Sequence, residues 1–277
     1  MVVLTPTLQS TGLKPLPVMR DIPLPAGQPP PQAPPSPAKL KCLIIIPAFN
    51  ESKSVGRLVR RVNRLLPDYD VLVIDDGSTD DTVRNVPPNT RVVSLPFNLG
   101  IGGAMQTGYR YAALHRYDVA VQVDADGQHR PSGVRQLIRT LQSTGADLVV
   151  GSRFLATSRF RTSMPRMMGI RLLSAWIRLL SGLQITDCTS GFRAVNRRVI
   201  RAYAHWYPED YPEPEVVLLL HRSKFKVVEV PALMRRRMYG KSSISLAAGL
   251  FYVLKVGVCL LLDMVRQPWP SSKLDLP

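Results

Sequence analysis

The chain has 277 residues, a formal net charge of +16, 45% hydrophobic residues and three cysteines, Cys42, Cys188 and Cys259. An odd number of widely separated cysteines without CxxC spacing argues against a disulfide framework and a zinc centre, and fits a reducing, cytosolic environment. The charge asks for an anionic partner, but the basic residues form no helix-turn-helix, zinc-finger or RNP-like pattern and lack interleaved aromatic platforms, which argues against nucleic acid.

Residues 1–39 repeat proline, as in Pro29-Pro30-Pro31 and Pro34-Pro35, and hold few large apolar side chains. Such a stretch buries too little surface to offset its ordering entropy, so it reads as a disordered or extended leader. No apolar h-region follows Met1, which argues against a secretory signal. From residue 40 to 243 the chain is long enough for one α/β domain. Short apolar runs at Leu43 to Ile46, Val71 to Ile74, Arg91 to Leu95, Val119 to Val123 and Asp147 to Val150 read as strands, several apolar throughout, as strands buried on both faces should be. Ser52 to Leu66, Gly100 to Tyr117 and Ser132 to Thr144 read as helices between them. This alternation predicts a doubly wound, mainly parallel sheet with helices on both faces and a site at the strands' carboxyl ends.

The loops at those ends follow in order. Pro47-Ala-Phe49-Asn50-Glu51 is compatible with turn chemistry and the start of a helix. In Asp75-Asp76-Gly77-Ser78-Thr79-Asp80-Asp81-Thr82, capping accounts for Ser78 to Asp81. It does not account for Asp75 and Asp76, adjacent carboxylates that repel unless donors such as ribose hydroxyls or base amino groups meet them. Asn98-Leu-Gly100-Ile-Gly102-Gly103-Ala104 fails the dinucleotide GxGxxG spacing, because Met105 stands where the last glycine belongs. Asp124-Ala-Asp126-Gly-Gln128-His129 follows an apolar strand. Alternation along an extended segment would put Asp124 and Asp126 on one side, and hard oxygen ligands suit Mg²⁺ or Mn²⁺ held together with substrate phosphates. An EF-hand is excluded by spacing, since it would need Gly at His129 and Glu at Arg135.

Further along, Pro165 to Leu183 at 100° per residue sets Arg171, Ser174, Arg178 and Ser181 on a narrow arc opposite a wide apolar one, the pattern of an interfacial helix or of a core helix. Glu213 and Glu215 in Tyr211-Pro-Glu-Pro-Glu fit either an acid–base site or a helix start. Ile244 to Leu262, inside a C-terminal segment 244–265, is long enough to span a bilayer. Lys255 near its middle costs about 3 kcal/mol against about 0.5 gained per Leu or Ile, so the helix either spans marginally, lies in the interface, or pairs with a second copy. Residues 266–277 form a tail.

Taken together, Ile46-Pro47-Ala-Phe49-Asn50-Glu51, Val73-Ile-Asp75-Asp76-Gly77-Ser78, Asn98-Leu-Gly100-Ile-Gly102-Gly103-Ala104, Asp124-Ala-Asp126 and Gly151-Ser-Arg153-Phe154 resemble the family 2 glycosyltransferases of GT-A fold. Asp187-Cys-Thr-Ser190-Gly191-Phe192-Arg193 and Arg235-Arg-Arg237-Met-Tyr-Gly240-Lys241-Ser242 narrow the resemblance to the polyprenyl-phosphate branch, which includes dolichol-phosphate mannose synthase. The match runs from about Leu40 to Ser243.

That resemblance implies an inverting, metal-dependent transfer from a nucleotide sugar, a GDP- or UDP-sugar, to a polyprenyl phosphate at the cytoplasmic face of a cell membrane. It places the nucleoside against Pro47, Phe49, Glu51 and Asp76, with Phe49 standing where many relatives have Tyr. It places Mg²⁺ or Mn²⁺ on Asp124, Asp126 and Gln128, and the diphosphate or lipid phosphate against Arg153, Arg235, Arg237 and Lys241. Asp187 is the acceptor-side carboxylate, with Glu213 and Glu215 in reserve. Another lipid or glycan acceptor remains open. A sugar-1-phosphate nucleotidyltransferase should carry a Gly-rich basic loop after the first strand, which Pro47 to Glu51 is not. A basic adaptor for anionic membrane or nucleic acid would explain the charge but not the acidic strand ends.

Overall fold

The computed structural model describes residues 40–155, 163–210, 212–235 and 246–266. The Pro-rich leader, the tail after residue 266, Arg237 and Lys241 lie outside the described residues.

Seven strands form one sheet: β1 (Cys42–Ala48), β2 (Asp70–Asp75), β3 (Arg91–Ser94), β4 (Val119–Gln122), β5 (Leu148–Ser152), β6 (Arg193–Asn196) and β7 (Val227–Pro231), in the order β3-β2-β1-β4-β6-β5-β7. All neighbours run parallel except β6, which is antiparallel to both β4 and β5. β1 is buried at every position, which explains why its sequence is apolar throughout instead of alternating.

Helices cover both faces. On one, α1 (Val55–Leu65) and α3 (Val134–Thr144) pack Val55, Leu58, Val59 and Val62, and Val134, Leu137 and Ile138, onto Ile44, Ile46 and Val121. The i, i+3, i+4, i+7 spacing in α1 makes that face and turns its arginines outward. On the other face lie α2 (Gly100–Leu114), α4 (Met164–Ser181), α5 (Arg197–His205), α6 (Pro212–Arg222) and α7 (Leu246–Val265). Each fully buried Val, Leu or Ile in these layers contributes roughly 1.5–3 kcal/mol. Helix α2 lies close on β1, where a Cβ on Gly108 would fall 2.5 Å from a methyl of Ile45. Gly108→Ala should therefore push α2 off the sheet.

Three features depart from the sequence expectation. Only a 3-10 turn, Val83–Asn85, joins β2 to β3. Ser78 to Asp81 start no α-helix; the side chains of Ser78, Thr79 and Asp80 bond to the first loop instead. β6 is absent from the periodicity because it is four residues long and begins with a buried arginine. Helix α5 follows it at once, with the Asn196 side chain accepting the Val199 N–H at 3.0 Å as its cap. In α4, Ser174 faces inward beside Ile170, Leu173 and Ile177, whereas Met168, Leu172 and Leu179 are exposed, so the helix is a core element that also presents apolar side chains outward. α7 packs against α4 and α6 through Val256 and Leu260. Among the described residues no helix is long and apolar enough to cross a membrane.

Candidate active site

The carboxyl ends of β1, β2, β4 and β5 gather the loops singled out above. The first two are laced together: Asn50 N–H donates to Ser78 Oγ at 3.0 Å, Thr79 N–H donates to Asn50 Oδ1 at 2.9 Å, and Glu51 N–H donates to Thr82 Oγ1 at 2.7 Å. The Glu51 carboxylate accepts the Ser54 hydroxyl at the start of α1. Pro47 is buried within β1, and Phe49, just past the carboxyl end of that strand, is 46% exposed. Asp76 is buried and accepts the Leu99 N–H at 2.8 Å, joining β2 to the start of α2. Burial pushes its carboxyl above the usual range, against the pull of the Leu99 and Gly100 N–H groups, and the Asp75 charge adds to the rise.

Past β4 the chain does not stay extended through Asp124 and Asp126. It turns at Ala125 and Asp126, and Asp126 Oδ1 closes the turn by accepting the Gln128 N–H at 2.9 Å. Both carboxylates therefore lie on one short turn, each partly exposed. The turn is braced from outside by residues 234 and 235. Arg235 N–H donates to Gln128 O at 2.8 Å, and His129 forms an antiparallel bridge with Met234. Arg235 thus stands beside the acidic turn.

Gly191 closes the opposite side. A Cβ there would come within 3.0 and 3.1 Å of the two oxygens of Asp124, so its missing side chain leaves room against that carboxylate. Two carboxylates and the amide oxygen of Gln128 form a hard-oxygen set that fits Mg²⁺ or Mn²⁺ completed by phosphate oxygens and water. Among the described residues no group of three or more His, Cys, Asp or Glu is arranged to hold a metal by itself.

Asp187 and Arg153 meet each other. Arg153 reaches across from β5 with Nε 2.6 Å from Asp187 Oδ2 and Nη2 2.5 Å from Oδ1, and its N–H donates to Oδ2 at 3.0 Å. Asp187 is fully buried. Burial lowers the affinity of the guanidinium for its proton, and the hydrogen bonds and charge of Asp187, with a contribution from Asp124, raise it further than burial lowers it. Glu229 of β7 fixes the turn by accepting the N–H groups of Thr186 and Asp187 at 2.8 and 2.7 Å.

The two glutamates part ways. Glu213, half-buried at the start of α6, feels Arg193, Asp124 and Arg153 and so borders the site; burial raises its carboxyl, and the two arginines oppose the rise. Glu215, one helical step on, faces α7: burial and Asp263 push it up to about 7, while Arg266 and Lys255 pull it down. Two residues that shape the site carried no mark in the sequence: Gln122, buried at the end of β4, and Glu229, partly buried within β7.

The family model described as glycosyl transferase family 2 matches residues 43–204. An undecaprenyl-phosphate mannosyltransferase of Micrococcus luteus is 32% identical over 216 residues, 74% of this chain and 88% of the relative. A polyprenol monophosphomannose synthase of Mycolicibacterium smegmatis is 30% identical over 240 residues, covering 82% of this chain and 90% of the relative. Among solved structures, the glucosyl-3-phosphoglycerate synthase of Mycobacterium tuberculosis in complex with Mn²⁺ and UDP-glucose superposes with a TM-score of 0.63 at 22% identity, over 83% of this chain and 81% of that one, which shows a shared fold.

Proposed function

The chain belongs to glycosyl transferase family 2, and on that premise we propose that it transfers a sugar, with inversion, from a GDP- or UDP-sugar to a polyprenyl phosphate at the cytoplasmic face of a membrane. The observation that carries this reading is the acidic turn after β4, where Asp124 and Asp126 stand partly exposed with the space beside Gly191 left open. Asp124, Asp126 and Gln128 would hold Mg²⁺ or Mn²⁺, which supplies charge stabilisation to the departing nucleoside diphosphate. The exposed ring of Phe49 offers the base a stacking surface, with Pro47, Glu51 and Asp76 shaping the nucleoside site around it.

Arg153 and Arg235, with Arg237 and Lys241 from the following segment, supply cations to the diphosphate or the acceptor phosphate, a task suited to forked guanidinium donors. A phosphate acceptor is largely ionised near neutral pH, its second pKa being roughly 6 by analogy with phosphoserine, so a general base has little proton to remove. Asp187, locked onto Arg153, then acts by positioning that arginine, and Glu213 is the carboxylate better placed than Glu215 to sense the site. The names of the similar proteins, undecaprenyl-phosphate and polyprenol sugar transferases, support the acceptor class.

Membrane attachment rests on exposed apolar side chains of α4 and α7, among them Met168, Leu172, Leu179, Phe251, Leu254 and Leu262, in the manner of an interfacial helix pair. The catalytic unit is residues 40–243, the leader and tail flanking it and its C-terminal helix. The test is direct: incubate the detergent-purified chain with labelled GDP-mannose or UDP-sugars, undecaprenyl phosphate and Mn²⁺, and follow label into the organic phase. Label should enter lipid only when lipid phosphate and metal are both present. Transfer to soluble glycans with none to polyprenyl phosphate would overturn the acceptor assignment.

A further inference from the structure

His129 follows the acidic turn and has no role in the reaction as described so far. It is 5% exposed, and both ring nitrogens serve one residue. Nδ1 lies 3.0 Å from the backbone nitrogen of Asp124, and Nε2 lies 3.5 Å from Oδ2 of the same residue. A backbone N–H can only donate, so Nδ1 is the bare nitrogen of the neutral ring. The proton therefore sits on Nε2, toward the carboxylate. With Nδ1 occupied by the backbone and Nε2 bearing hydrogen, the ring has no lone pair to offer a cation.

The ring is itself immobilised. Phe192 packs against it with centroids 4.9 Å apart, and the His129 backbone is bridged to Met234. On the other oxygen of Asp124, the buried amide of Gln122 donates at 3.1 Å. Gln122 thus donates directly to one carboxylate oxygen, the imidazole edge stands 3.5 Å from the other, and the glycine at 191 closes the third side without filling it.

We propose that His129, in its Nε2–H form, is a positioning residue that sets both the backbone and the carboxylate of Asp124 for cation capture, with Gln122 as its counterpart on the other oxygen. The role rests on the reading of Asp124 as a metal ligand. Outer partners that orient a ligand lower the cost of ordering it and typically change metal affinity by about 10–100-fold. Asn at this position can place its amide oxygen where Nδ1 stands and keep the Asp124 N–H satisfied, whereas Leu supplies neither contact.

The experiment measures Mn²⁺ affinity by calorimetry on the full-length chain, without donor or acceptor, alongside ring ¹⁵N shifts of His129. Wild type should show an acceptor-type Nδ1 and a protonated Nε2. His129→Leu should weaken Mn²⁺ about 10–100-fold, and His129→Asn should recover part of the loss. A protonated Nδ1, or unchanged Mn²⁺ affinity in both variants at unchanged thermal stability, would overturn the positioning role while leaving the metal reading intact. Mn²⁺ affinity that is absent from wild type, or that Asp124→Ala does not alter, would overturn the metal reading and the cation-orienting role with it.

Discussion

The two ends of the sheet treat buried charge in opposite ways. At the carboxyl ends of β2 and β4, carboxylates meet neutral backbone donors: Asp75 the Ser78 N–H, Asp76 the Leu99 N–H and Asp126 the Gln128 N–H. These contacts fix direction without cancelling charge, so that edge stays negative and fits a cation and hydroxyl-bearing ligands. Around β5 and β6 three carboxylates meet cations, while Glu229 of β7 accepts backbone N–H groups. Asp187 is paired with Arg153, Asp147 with Arg198, and Glu213 lies in the field of Arg193. That half is neutralised internally, and a phosphate that recruits Arg153 must compete with Asp187.

Breaking the negative edge should have the largest effect. Asp126→Ala is expected to lower turnover about a thousandfold or more, the several kcal/mol of charge stabilisation that a bound metal provides. It should also remove metal-dependent donor binding, with circular dichroism unchanged because Asp126 is only partly buried. Folded protein that retains Mn²⁺-dependent turnover would end the assignment.

The neutralised half should respond differently. Asp187→Asn leaves Arg153 buried without its counter-charge, which costs about 3–5 kcal/mol of stability. Turnover should fall about a hundredfold while donor affinity and metal dependence barely move. Adding Arg153→Gln should recover part of the stability, read by denaturant unfolding, and none of the activity. A donor KM that rises with the fall in turnover would place Asp187 on the donor side instead.

The same contrast explains what the sequence could disclose. The negative edge is built from contiguous motifs whose contacts are local or between adjacent loops, so the Asp124 to His129 and Pro47 to Glu51 loops stand out in the sequence, although alternation misses the turn at Ala125 and Asp126. The positions of the first five strands are legible because short apolar runs mark them, whereas their order in the sheet is not. The neutralised half is assembled from positions far apart in the chain: Arg153 with Asp187, Asp187 with Glu229, Glu215 with Asp263. Nothing in periodicity links such pairs. Arg193 closes a quoted motif, but the four-residue strand it begins carries no period, and Glu215 could be told from Glu213 only by which helix faces it.

A smaller effect is expected at Phe49, on the proposed donor side. Base stacking on an aromatic ring is worth about 1–3 kcal/mol, so Phe49→Ala should raise the donor KM about tenfold with turnover nearly unchanged. Phe49→Tyr keeps the stacking face and should stay within about threefold. Equal KM values for all three would show that the exposed ring touches no nucleoside.

The smallest effect concerns stability and pH at the α6–α7 contact. Burial and the neighbouring Asp263 push Glu215 from 4.5 up to about 7, and burial pushes Asp263 from 3.8 up to about 6 despite Arg266 and Arg222. Both acids thus hold their protons more tightly in the folded chain than in the unfolded one. Between about pH 4 and pH 7 the folded state binds more protons, so stability falls as pH rises through that window and levels off above it. For Glu215 the loss is on the order of 2 kcal/mol. Glu215→Gln keeps the shape, carries no charge, and should flatten the slope and stabilise the fold at pH 8 by about 1–2 kcal/mol in denaturant titrations. A residual slope should persist, because Asp76 and Glu213 are shifted in the same direction. If Glu215→Gln left the slope between pH 5 and pH 8 unchanged, charge at the α6–α7 contact would have no part in holding α7 against the domain.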